Sequence, residues 1–227
     1  MNIQVAILLV SGFINLVMSV FIFSRGIKNK VNLYFSLLTF FNFLWAVSLL
    51  VFDFVDSEDL LKLSASLPYT AAWLIAIYLF YFSVEFPYRI FDLSKLYKWI
   101  INSITFVVVI YTTVFYRFFV PNVAIVPEHI AYYRTDFYIV YTIFFAFFML
   151  LTIFIFIKKY NLAEGIAKIQ LRLMLITVIL GIVFGSYFDL FLIYFDIFRW
   201  IYLGPLFTLF INFAAFYSIF LLNKNAK

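Results

Sequence analysis

Polar and ionisable residues inside long apolar stretches are where chemistry is first sought, because each is costly in a hydrocarbon environment. Asp189 lies in such a stretch, preceded at four-residue intervals by Gly185 and Gly181. That spacing puts all three on one face of a helix. A carboxyl group there can contact a ligand or an ion. The plainer reading pairs it with Arg199 or with water at a membrane surface. Together with Asn42, Trp45, Tyr69, Trp73 and Tyr187 it is expected to line a cavity in the outer half of the protein, open to a small or lipid-like ligand. Glu85 closes another apolar stretch, and its expected role is an ion pair with Arg89 rather than proton transfer.

Two further polar stripes share the four-residue period. Ser11, Asn15 and Ser19 form one, and Gly204-Pro205, Thr208 and Asn212 form the other. Small residues let helix backbones approach, and Ser or Asn side chains hydrogen-bond across the contact. These stripes, with Gly181 and Gly185, therefore read as helix-packing seams along which a signal could travel. Gly204-Pro205 reads as a bend inside a helix, its freed backbone groups satisfied by neighbouring helices.

Several chemistries have no residues to carry them. The chain has no cysteine, which removes disulfides, thiol nucleophiles and cysteine metal sites. A single histidine, His129, cannot build a metal site alone. There is no Gly-rich phosphate loop of the Walker type and no HExxH pair. The last apolar stretch contains no lysine to which a retinal could attach. No nucleophile–base pair stands out, so neither catalysis nor a cofactor or metal is expected.

The elements that must hold these residues follow from composition. Of 227 residues, 67% are hydrophobic and 12% charged, whereas soluble domains carry about 25% charged residues. One globular core cannot hide that excess, so lipid must solvate much of it. A membrane-crossing helix needs about 20 predominantly apolar residues. Seven such stretches fill the chain, at about 3–23, 31–52, 67–86, 99–116, 137–157, 169–193 and 200–222. The expected fold is an all-α seven-transmembrane-helix bundle, a single domain over 1–227. Residues 58–66 are expected to form a short interfacial turn and 117–136 the longest connector.

The net charge of +5 does not imply nucleic acid, because the basic residues collect at helix ends. Twelve Lys and Arg fall on the side of the first, third and fifth connectors and the C-terminal tail. Only Lys62, Arg117, Arg134 and Arg199 fall on the other. Cytoplasmic loops are enriched in these residues. The expected orientation is therefore N-terminus outside and C-terminus in the cytoplasm, with Trp99 and Trp200 opening their helices at the two interfaces.

At family level the chain resembles the N-terminal seven-helix sensor region of bacterial histidine kinases. The likeness runs through Asn32-Leu-Tyr-Phe35 and Trp45, then through the ending Phe82-Ser-Val-Glu-Phe86-Pro87. It continues in Lys168-Ile-Gln170-Leu-Arg172, in Gly181 and Asp189, and in Gly204-Pro205-Leu206 followed by Phe216-Tyr-Ser-Ile219. The resemblance implies a sensor of an extracellular or lipid-phase stimulus in a bacterial inner membrane. It also implies relay through the last helix to a cytoplasmic signalling partner, with a homodimer as one arrangement. The departure is that no phosphoacceptor or ATP-binding region follows the seventh stretch, so the expectation is either a sensor domain separated from its output or one that works through a partner. A small transporter or channel is the alternative reading. It would show internal repeats and helices interrupted at mid-membrane.

Overall fold

The structure, a computed structural model, describes residues 3–124, 130–195, 197 and 199–222. His129 and the tail lysines Lys224 and Lys227 lie outside the described residues, as does Asp196. The chain forms α1 (Ile3–Ser24), α2 (Lys30–Phe54), α3 (Glu58–Glu85), α4 (Lys95–Thr113) and a four-residue α5 (Tyr116–Phe119). An antiparallel ribbon follows, β1 (Asn122–Ala124) with β2 (Ile130–Tyr132). Then come α6 (Thr135–Leu162) and α7 (Gly165–Ser186), which runs through a π-helical turn (Tyr187–Phe191) into α8 (Leu192–Tyr194). The last element is α9 (Leu203–Phe216), which ends in a second π-helical segment (Tyr217–Leu222). Counting Gly165–Tyr194 as one, seven helices among the described residues are long and apolar enough to cross a membrane. That is the pattern of a multi-pass membrane protein.

Six of the helices pack as a ring, and α4 lies outside it. α2 lies against both α1 and α3, α6 against α3 and α7, and α9 against α7 and α1. In α3, 78% of the most apolar stretch is buried, against 11% in α4, which packs chiefly on α3 and α5. Phe13, Val17, Trp99, Phe106, Phe144 and Leu150 are among the large apolar side chains left facing outward. Lipid, not water, is the solvent such a surface fits.

Helix ends differ from expectation where local chemistry overrides hydropathy. Residues 58–66 are not a separate turn but the first turns of α3. Glu58 and Asp59 sit at its positive N-terminal end, which favours acidic residues. Lys62 pairs with Glu58 one turn on, at 2.7 Å. The helix continues through Pro68. α4 begins at Lys95, four residues early, because Ser94 accepts from the Tyr97 N–H as its N-cap. The connector 117–136 is not structureless, since it holds α5 and the ribbon. Gly204-Pro205 is not a bend within a longer helix. Trp200 and Ile201 lie in turns, and Pro205 sits in the first turn of α9, where a missing N–H costs nothing.

α4 buries little, so polar links fasten it to α3. Thr70 and Thr112 share a hydroxyl–hydroxyl bond of 2.7 Å, and Ser66 donates to the Thr112 carbonyl. Trp73 Nε1 donates to Thr105 at 3.3 Å, and the Tyr81 hydroxyl to Asn102 at 3.1 Å. Replacing Thr112 with valine keeps the shape and removes one such link. It should lower stability by about 0.5–1.5 kcal/mol, read as an earlier midpoint in SDS-induced unfolding. An unchanged midpoint would mean that the ladder does not hold α4.

Candidate functional site

A cavity opens between α2, α3, α6, α7 and α9. It runs from Tyr133, Ile193 and Ile201 at the ribbon end to Leu38, Leu79 and Asn212 deeper in the bundle. The space open to the centre of a water-sized sphere is about 70 Å³. Its wall is mainly apolar, with the aromatic rings of Trp45, Tyr69, Tyr141 and Phe145. Toward the opposite, basic end, Ile22, Phe35, Phe82 and Leu171 fill the interior.

Helix geometry brings these residues together. On α7, Gly181 packs so tightly on α9 that an added Cβ would lie 2.5 Å from Ile211 Cδ1. One turn on, Gly185 has nothing within 4 Å of where a Cβ would be, because it faces the cavity. Asp189, in the π turn, rests its carboxyl group on Gly204 in the first turn of α9. The positive end of α9 favours that placement. It supplies no hydrogen bond, since the N–H groups of Leu203 and Gly204 already go to the carbonyls of Trp200 and Ile201. Asp189 Oδ2 is shielded from solvent and has no partner among the described residues.

Other polar atoms in the wall are also unsatisfied. Asn42 donates to the Leu38 carbonyl at 3.1 Å, which leaves its Oδ1 unpaired. Asn212 donates to Asn15 Oδ1 at 2.6 Å, which leaves Asn212 Oδ1 and Asn15 Nδ2 unpaired. Buried polar atoms normally find partners. A group of orphans around one space marks it as built for an occupant or for water.

A cluster of tyrosines closes the ribbon end. The Tyr69 ring lies 4.8–5.9 Å from those of Phe119, Tyr133, Tyr138 and Tyr141, mostly edge-on. Tyr141 donates to the Tyr69 carbonyl, Tyr138 to that of Leu190 and Tyr133 to that of Ala65. Burial pushes the Tyr133 hydroxyl up, so it remains a donor. The Tyr69 hydroxyl itself has no well-formed partner.

The expected site is therefore regrouped. Asn42, Trp45, Tyr69 and Asp189 do line one cavity, joined by Gly181, Gly185 and Asn212. Trp73 does not. It is fully buried, and its indole is turned toward α4 by the bond to Thr105. Tyr187 does not either. It is exposed on the outer surface and stacks on Phe191 at 5.6 Å. Asp189 is not paired with Arg199, whose guanidinium lies over the Trp200 ring. Sequence reasoning missed the α6 wall, Tyr141, Phe145 and Met149. Their four-residue spacing was the available signal, but Phe and Ile on every other face of α6 hid it.

The seam residues have partners of their own. Ser19 donates to the Ser36 carbonyl at 3.0 Å, and Ser36 to that of Ser19 at 3.1 Å, which ties α1 to α2. Ser11 donates to Leu8 within α1. Asn15 joins α1 to α9. Glu85 is held by Arg89 through both oxygens, with Lys30 at 3.9 Å. At the basic end Gln170 of α7 donates at 2.7 Å to the carbonyl of Ser218, inside the π segment that ends α9.

An apolar groove between α4 and α6, of about 400 Å³, has Lys158 as the one charged group among its described lining residues. It lacks the orphaned acceptors of the interior cavity. No family model matches this chain, and no curated protein matches it significantly.

Proposed function

We propose that this chain is a sensory domain of a cell membrane, with its N-terminus outside and its C-terminus in the cytoplasm. An occupant of the interior cavity shifts α7 against α9, and the end of α9 passes that shift to a cytoplasmic partner. The observation that carries the reading is the cavity itself. It has orphaned acceptors in its wall and α7 and α9 on one side of it. The same two helices meet again at the basic end through Gln170 and Ser218. A ligand works such a device only by binding one helix arrangement better than the other. The orientation rests on the uneven share of Lys and Arg. The bacterial inner membrane and the two-component partner rest on the resemblance to histidine-kinase sensor regions.

Filling the cavity from within tests this reading without knowing the ligand. Gly185→Leu places a side chain where nothing stands within 4 Å of the Cβ. Because the chain has no cysteine, spin labels can be attached at Lys168→Cys and Leu221→Cys alone. The substitution should change the label-to-label distance in lipid nanodiscs by on the order of 2 Å. An unchanged distance in a folded protein would refute the relay.

A further inference from the structure

The unmet groups of the cavity wall lean to one side chemically. Asp189 Oδ2, Asn42 Oδ1 and Asn212 Oδ1 are all acceptors, and the fourth, the Tyr69 hydroxyl, can accept as well as donate. The complement they lack is a donor, and for a carboxyl group the best complement is a cation. Among the described residues, the protein's own cations at this end are engaged elsewhere. Lys62 pairs with Glu58, Arg117 with Asp59 and Arg134 with Asp136. Arg199 lies over Trp200 at 5.4 Å. Tyr133, Tyr138 and Tyr141 stand within electrostatic reach of Asp189. Aromatic faces attract ammonium groups and also pack against apolar chains.

We propose that the cavity binds a small amphiphile carrying a protonated amine, its ammonium group at Asp189 and its apolar body against Trp45, Tyr69 and Tyr141. The assignment deepens the sensory reading, on which it rests, by naming the class of the ligand. Size limits the class to molecules of on the order of ten non-hydrogen atoms, judged from the volume water occupies. An inorganic cation would leave the aromatic wall unused. A carboxylate ligand would meet Asp189 with like charge.

The test uses the whole chain in nanodiscs and octylammonium, octanol and octanoate as probes of one chain length. Octylammonium should shift tryptophan emission saturably, and the shift should vanish in Trp45→Phe, which keeps the other three tryptophans. Octanol and octanoate should bind at least about tenfold more weakly. Asp189→Asn should weaken octylammonium about tenfold or more and leave octanol unchanged. Gly185→Leu, which keeps Asp189 but fills the space, should abolish all binding. Absence of a saturable amine response, equal binding of octanol, or a response to NaCl alone would overturn the assignment. So would unchanged amine affinity in a folded Asp189→Asn protein. The two readings fail separately. If the amine binds but leaves the Lys168–Leu221 label distance unmoved, the relay is refuted and the ligand class stands. If Gly185→Leu moves the labels but no amine binds, the relay stands and the ligand class is refuted.

Discussion

Gly204→Ala is expected to destabilise the protein by about 2 kcal/mol, in the range typical of overpacking. A Cβ at this position would overlap the Oδ2 and Cγ atoms of Asp189. Either the carboxyl group must leave its place on α9, or α9 must retreat from α7. The cause can be isolated with a double-mutant cycle. Asp189→Ala removes the atoms that the new methyl group would strike. In that background Gly204→Ala should cost little, which gives a coupling energy of about 1–2 kcal/mol between the two positions. The readout is the unfolding midpoint of the four proteins in one detergent. Equal losses in both backgrounds would show that Gly204 is needed for a reason other than its contact with Asp189.

The second large effect is expected at Lys159. Its side chain is fully buried, and its ammonium group donates at 2.8 Å to the carbonyls of both Val84 and Phe86. Those carbonyls are exposed by the way α3 ends. Pro87 has no N–H to continue the ladder, so the last carbonyls of the helix need outside donors. Lys159 supplies them from α6, at the negative end of the α3 dipole. Tyr88 holds it there, its hydroxyl donating to the Lys159 carbonyl at 3.0 Å. Lys159→Met should cost about 3 kcal/mol, because it leaves two inward-facing carbonyls without donors. Lys158→Met should cost almost nothing, since that side chain is exposed. Equal, small effects at both positions would mean that the α3–α6 lock does not form.

These two neighbouring lysines show where sequence reading stops. In the sequence both close the fifth apolar stretch and fall alike among the twelve basic residues of one side. One turns inward and one outward because α6 meets α3 on a single face. Trp73 and Tyr141 make the same point. Trp73, singled out for the cavity, is claimed by the hydroxyl ladder of α4, and Tyr141, one of many aromatics on α6, takes the place in the wall. The stripes that combine small and polar residues were more legible. Ser11, Asn15 and Ser19 are buried in α1, and Gly181, Gly185 and Asn212 lie where α7, α9 and the cavity meet. A polar atom has few tolerable places in such a bundle, whereas an apolar one has many.

The amino-acid sequence alone determined seven helices long and apolar enough to cross a membrane. A backbone in hydrocarbon must satisfy its own hydrogen bonds, and an apolar stretch of that length has no other regular way to do so here. It also determined the uneven distribution of basic residues between the two ends. Tertiary structure alone decided which side of each helix faces inward. Lipid and protein interior are chemically alike to Leu, Phe or Ile, so helices apolar all round carry little periodic signal of their own orientation. Only close packing separates the Asp189 carboxyl group from Arg199, seats it on Gly204 and leaves the cavity beside it with its acceptors unmet.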